Sequence, residues 1–200
     1  MKKRYALLTV TDKTGIVEFA KGLKKFGFEL VGSLKTSWLL RKNGISIKEV
    51  SEITGYPPIM GKQGIKLIHP IIFGGILADR LNPDHLKDGK RYKIKPFELV
   101  VCNLYAFEKT VAKKKFEHEE AIFNLDIGGP AMIRCAAKNY KNVTIVTDIK
   151  DYDMVLHKLA QNREIDLATN EKLALKAFEY VGAYDRAIIK YLKNKFKVKW

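Results

Sequence analysis

An acidic residue, two glycines and a proline stand at the head of an apolar run in Asn124–Lys138, NLDIGGPAMIRCAAK. Proline at the first position of a helix removes no hydrogen bond, and glycines before it let a ligand reach bare backbone. The unpaired N–H groups of a helix start point the same way and favour an anion or a developing oxyanion. Arg134 and Lys138, four apart, share one face of that helix. The stretch thus offers a carboxylate (Asp126), amide donors and cations, the parts needed to move protons and steady negative charge. On spacing alone it reads equally well as a tight turn capping a helix, and the rest of the chain must decide.

The elements that would position these groups alternate. Tyr5–Val10 reads as a buried strand, followed by the loop Thr11–Gly15 and a helix over Ile16–Phe26, closed by Gly27. Glu29–Val31 is a second strand, Gly32–Thr36 a loop, Ser37–Asn43 a helix and Ile45–Val50 a third strand. This cadence predicts a parallel α/β sheet, in which ligands sit beyond the carboxyl ends of the strands, where both loops lie. Tyr56–Pro70 reads as irregular, Ile71–Leu77 as apolar around Gly74-Gly75, and Asn82–Pro96 as a polar surface excursion. Phe97–Leu104 is the most hydrophobic strand and delivers Asn103 and Tyr105 at its end. A helix over Glu117–Leu125 leads into the Asp126 stretch. Val143–Thr147 is a last strand, Tyr152–Asn162 a helix, and Leu167–Leu192 one long helix or two shorter ones.

The chain has 200 residues, 46% of them apolar, enough for a full core in one domain. Its longest apolar runs fall well short of the roughly 20 residues a membrane span needs. Cys102 and Cys135, its two cysteines, lie in apolar surroundings and read as small buried hydrophobes of a reducing compartment, which points to the cytoplasm. A net charge of +15 asks for an anionic partner. Much of that excess is lysine, in Ala112–Lys115 and Lys190–Trp200, without the clustered arginine and aromatics of a nucleic-acid reader. A solvated lysine-rich surface is the favoured reading over nucleic-acid binding.

Several further motifs follow one another in order: Thr11–Ile16, Glu52–Pro57, Lys66 with His69-Pro70, Gly74–Leu77, Val100–Phe107, Asp126–Ala131 with Lys138-Asn139, and Ala183-Tyr184-Asp185. Together they resemble the inosine monophosphate cyclohydrolase domain of the bifunctional purine-biosynthesis enzyme, which has a methylglyoxal-synthase-like fold. The likeness runs from about residue 4 to about residue 192. It implies a mostly parallel sheet flanked by helices over residues 1–165, with a C-terminal helical extension over 166–200, in a stand-alone unit lacking the formyl-transferring domain. It implies closure of the ring of 5-formamidoimidazole-4-carboxamide ribonucleotide, without metal or cofactor. By resemblance Lys66, Tyr105, Asp126 and Lys138 match the catalytic positions: Lys66 as donor to the formyl oxygen, Asp126 with Lys138 as a proton relay, Tyr105 to orient or protonate. Asn103 and the amides of Ile127 and Gly128 would polarise the carbonyl and read the base. Thr11, Lys13, Ser33, Lys35 and Thr36 would line the phosphate pocket. A nucleotide substrate and a homodimer are the expected partners, with a separate formyl-transferring enzyme as a further candidate.

The departures fall on the phosphate end. Where the family has a glycine-rich turn, this chain has Leu34 and Lys35, and the family's arginine and threonine around Lys66 are Gly64 and Leu67. Either Lys35 or Lys62 restores the lost charge, or the chain is a relative that binds a phosphorylated ligand as a sensing domain without turnover. A methylglyoxal-synthase activity has less support, because Leu34–Trp38 offers no acidic residue.

Overall fold

The computed structural model describes residues 3–60, 67–112 and 116–197. Lys62, Gly64 and Lys66 lie outside the described residues, as do the lysines at 113–115 and the last three residues of the chain. Five strands form one sheet: β1 (Arg4–Val10), β2 (Phe28–Gly32), β3 (Lys48–Glu49), β4 (Phe97–Asn103) and β5 (Thr144–Val146). They stand in the order β3-β2-β1-β4-β5, every pair parallel, as the alternating pattern requires.

The period-2 alternation of the strands divides the core. Ala6, Leu8, Leu30, Leu99 and Val101 pack on one face against α1 (Ile16–Lys25), α2 (Leu34–Lys42) and α9 (Tyr152–Asn162). Leu7, Val31, Val100, Cys102 and Ile145 pack on the other against α4 (Pro70–Leu77), α6 (Phe107–Val111), α7 (His118–Phe123), α8 (Gly128–Lys138) and α10 (Leu167–Phe196). The last helix is a single one of 30 residues that gives Ala174, Ala177, Val181 and Tyr184 to that core.

Four local expectations are adjusted. The third strand shrinks from Ile45–Val50 to Lys48–Glu49, because Val50 already opens the short helix α3 (Val50–Thr54) through a reciprocal cap between Glu49 and Glu52. The excursion at 82–96 contains α5 (Pro83–Arg91), begun by Asn82, whose side-chain oxygen accepts from the N–H groups of Asp84 and His85. None of its residues is buried, so it shows no apolar stripe to read. In α4, Gly75 is required by packing: a methyl there would stand 2.5 Å from the Lys95 carbonyl oxygen. Finally, α2 opens at Leu34 and α8 at Gly128, so both site loops are shorter than expected and end directly in helix starts.

Candidate active site at the carboxyl edge of the sheet

From β1 the chain turns to β2 on one side, while β4 and β5 lie on the other. The carboxyl ends of β1 and β4 therefore flank the topological switch point, where open parallel sheets bind ligands. Asn103, the last residue of β4, joins the two loops there. Its Oδ1 accepts from the N–H of Thr11 (2.6 Å) and of Asp12 (2.9 Å), and its Nδ2 donates to the Asp12 carbonyl (2.9 Å). Asp12 in turn receives the N–H and hydroxyl of Thr14, which hold its carboxyl below the usual range. Asn103, expected to read the base, is thus already engaged as the tie between the loops.

On the β2 side the site is a helix start. The first intrahelical bond of α2 runs from Ser37 N–H to the Ser33 carbonyl (2.8 Å), and no side chain caps the turn before it. The N–H groups of Leu34 and Lys35 are left without a side-chain cap at the positive end of the helix. Lys13 reaches the same place, donating to the carbonyls of Val10 and Thr11, both at 3.2 Å. Burial and the nearby charge of Lys35 push the Lys13 ammonium down from its ordinary value. Neither lysine is ion-paired among the described residues. Two cations and two amides converge there, with Asp12 the nearby carboxylate but turned to Thr14, an arrangement that favours an anion. Ser33 and Thr36 stand within this turn, but Thr36 is sealed: fully buried, its hydroxyl meets the N–H and carbonyl of Val10 and the Ser33 hydroxyl. Thr36 shapes the pocket from inside rather than lining it.

On the β4 side stands Asp126. Its Oδ1 accepts from the Gly129 N–H at 2.8 Å, and the Tyr105 N–H stands near enough to favour the ionised form as well. Burial nevertheless outweighs both and raises the carboxyl above its ordinary value, the direction that suits a proton acceptor working near neutrality. Only glycine fits at 129, since a methyl would lie 2.5 Å from Leu104 Cδ2 and 2.8 Å from Asp126 Oδ2. Ile127 is exposed, and Gly128 opens α8 with open space beside it: a methyl added there would meet nothing closer than Ile68 Cγ1 at 4.0 Å. The Tyr105 side chain is 46% exposed and free to meet a ligand.

The structure therefore gathers Thr11, Lys13, Ser33, Lys35, Asn103, Tyr105, Asp126, Ile127 and Gly128 along one edge. It does not bring Lys138 to Asp126. Lys138 closes the helix that Gly128 opens, and a rise of 1.5 Å per residue sets the two ends about 15 Å apart. Within one chain the two side chains therefore make no direct contact. Lys138 instead lines a surface groove of about 280 Å³ with Ala137, Tyr140, Glu171, Ala174, Leu175 and Phe178.

Two residues not named as site candidates, Tyr180 and the Tyr184 of the Ala183–Asp185 motif, also enter the site from α10. The Tyr184 hydroxyl accepts the Asp126 N–H at 2.8 Å and the Tyr180 hydroxyl accepts the Leu104 N–H at 3.0 Å. Their spacing of four was the available signal, though within a long amphipathic helix it reads as core. Among the described residues no cluster of three or more His, Cys, Asp or Glu side chains is placed to hold a metal. No helix among them is long and apolar enough to cross a membrane.

Residues 136–199 match the family model described as AICARFT/IMPCHase bienzyme. The bifunctional purine biosynthesis protein PurH of Persephonella marina is 49% identical over 195 residues, covering 98% of this chain and 38% of that protein. Its counterpart from Bacillus thuringiensis subsp. konkukian is 47% identical over 192 residues, 96% of this chain and 37% of its own length. The chain thus spans little more than a third of these curated relatives. A solved structure titled "Crystal structure of ForH" superposes with a TM-score of 0.81 at 32% identity, over 94% of this chain and 98% of that one. Residues 15–131, both helix starts included, match the model of the MGS-like domain, and the chain belongs to that family.

Proposed function

We propose that this chain closes the ring of 5-formamidoimidazole-4-carboxamide ribonucleotide, giving inosine monophosphate and water in purine synthesis in the cytoplasm. The observation that carries the reading is a two-ended site on one sheet edge. An uncapped helix start with Lys13 and Lys35 lies beyond β2, and a desolvated carboxylate at a second helix start lies beyond β4. β2 and β4 are separated by β1 alone, two strand spacings or about 10 Å, which suits a phosphate at one end and a base at the other. The PurH relatives support the choice of substrate.

In this reading the phosphate lies on the α2 amides between Lys13 and Lys35, with Thr11 and Ser33 at its margin. The carboxamide nitrogen attacks the formyl carbon, forming the new C–N bond, while its proton passes to Asp126. The formyl oxygen, negative as the bond forms, meets donors in the amides of Ile127 and Gly128 and in Lys66. The C–O bond then breaks as the formamide nitrogen gives up its N–H proton and forms the ring C=N bond. The oxygen leaves as water with one proton from the carboxamide, by way of Asp126, and one from that formamide N–H. Tyr105 is the exposed hydroxyl placed to orient or protonate it. Asn103 holds the two loops at the spacing the substrate needs. The pairing of two copies belongs to the same proposal, with the groove bearing the exposed Leu175 and Phe178 as the face a second copy would cover.

Mixing the protein with the formylated ribonucleotide and following inosine monophosphate by absorbance tests the reading, with Asp126→Asn and Lys66→Ala as controls. Turnover lost in both variants is the expected result. A folded protein that binds the nucleotide without forming product would instead identify a sensing domain.

A further inference from the structure

We propose that Tyr180 and Tyr184 of α10 are positioning residues for this reaction, their hydroxyls holding the two loops that carry Tyr105 and Asp126. The inference rests on the ring-closing reading and deepens it. The Leu104 N–H, one residue before Tyr105, is accepted by Tyr180 at 3.0 Å, and the Asp126 N–H is accepted by Tyr184 at 2.8 Å. Both N–H groups lie just outside regular structure, past the end of β4 and before the start of α8, where no ladder or helix supplies an acceptor.

Four apart, the two tyrosines share a face of α10 and meet the loops side by side. The Asp126 carboxylate is itself held by the Gly129 N–H at 2.8 Å, with the Tyr105 N–H near enough to favour its ionised form. Fixing the two backbones at neighbouring points therefore helps to fix the direction of the carboxylate. Tyr184 is itself held, 7% exposed with its ring edge-on to Phe107 at 6.2 Å. A phenylalanine would fill the same space; only the acceptor requires tyrosine.

The division of the chain agrees with this. Leu104 and Asp126 fall in the part matched by the MGS-like model, whereas Tyr180 and Tyr184 fall in the part matched by the bienzyme model. The long helix adds to a general phosphate-binding sheet a grip on the loops where this chemistry occurs.

Tyr184→Phe, Tyr180→Phe and the double variant test it, since each keeps the ring. Among the described residues, the ionisable groups around the Asp126 carboxyl are Cys102 of β4 and the two tyrosines themselves. A loosened loop weakens the hold of the Gly129 and Tyr105 N–H groups that favour the ionised form, so the acid limb of kcat/KM moves to higher pH. The expected result is a fall in kcat of about tenfold in Tyr184→Phe and about a hundredfold in the double variant, with KM within about twofold. Unchanged kcat and an unmoved acid limb in folded Tyr184→Phe overturn the proposal, and should that variant not fold, Tyr180→Phe is judged by the same measure. Titration of the Asp126 carboxyl carbon by NMR separates this from the ring-closing reading. Where the native chain shows no turnover, that reading fails, yet an upward shift of the carboxyl in Tyr184→Phe still supports the grip and an unshifted one refutes it.

Discussion

Gly129→Ala strikes the point where packing and chemistry meet. The added methyl would lie 2.5 Å from Leu104 Cδ2 and 2.8 and 2.9 Å from the two Asp126 carboxylate oxygens. Carbon atoms in contact prefer about 3.5–4.0 Å, so Leu104 or α8 must move by roughly 1 Å. Leu104 is 5% exposed and packed in the core with Phe107 and Met132, so it cannot simply swing out. Overpacking of this kind costs about 1–3 kcal/mol, which for a chain of this length lowers Tm by roughly 2–12 °C. The carboxylate is displaced as well, and its 2.8 Å bond from the residue-129 amide is weakened. A misplacement of about 1 Å can cost about a hundredfold in rate. Steady-state kinetics on the formylated ribonucleotide, beside thermal unfolding, should therefore show kcat/KM reduced about a hundredfold, mainly through kcat, in a protein that still folds. A variant within about threefold of the native rate would refute the assignment of Asp126 as the fixed proton acceptor. Gly128→Ala provides the contrast, because the nearest atom to a methyl there is Ile68 Cγ1 at 4.0 Å. It should leave Tm unchanged or slightly raised, so any loss of activity reports substrate lying against that amide.

Lys35→Ala should raise KM about 10–100-fold with little change in kcat, the loss of one charge-assisted phosphate contact, while raising Tm by about 1–3 °C because a cation leaves a positive helix start. An unchanged KM would place the phosphate elsewhere. The pH profile follows from Asp126. Burial raises its carboxyl, so kcat/KM should fall on the acid side with a midpoint above the ordinary 3.8. The same shift means that the stability this carboxyl contributes is present below 3.8 and lost as pH rises through its folded value. Asp126→Asn should then be inactive yet gain in Tm over the native chain between pH 4 and pH 7, and an acid limb at or below the ordinary value would contradict the desolvated base. Asp166, the cap of α10, has the opposite sign. Its hydrogen bond from Lys158, and then those from Thr169, hold its carboxyl well below 3.8. Its contribution is present above 3.8 and lost as pH falls, so the Tm deficit of Asp166→Asn at pH 7 should close on acidification, and a deficit independent of pH would show that its charge is immaterial.

The sheet and the Asp126 turn were legible because each rests on a local pattern. Buried parallel strands are short apolar runs bounded by loops, and an acidic residue before paired glycines and a proline marks a helix start with open amides. The loops after β1 and β2 followed from the parallel order alone. The start of α2 was less legible. Ser33 is the right residue type for a cap, but its hydroxyl bonds Thr36 instead of a backbone N–H, and Leu34-Lys35 mimics a loop in composition. For Lys138 the helix face was legible and the distance from Asp126 was not, since face is a matter of period while distance depends on where the helix begins. Tyr180 and Tyr184 could not be assigned from periodicity at all. Their bonds reach loops 76 and 58 residues away in the chain, and only the packing of α10 against α8 and β5 brings them there.

Both ends of the site hold ionisable groups in surroundings that folding by itself disfavours. Lys35 stands on the positive end of α2 beside a partly desolvated Lys13, and Asp126 is buried enough to resist ionisation despite two backbone donors. A structural ion pair would have relieved either strain, and nearby carboxylates exist: Asp12 faces Lys13 across its own loop but is turned to Thr14. Asp126 is likewise aimed at amides and away from any lysine among the described residues. The fold therefore keeps positive and negative charge apart along one edge, with Asn103 tying the loops between them. A ligand with an anionic group at one end and an acidic N–H at the other satisfies both ends at once. That separation of charge, more than any single residue, is what supports the proposed reading of a ribonucleotide that carries its reacting amide away from its phosphate.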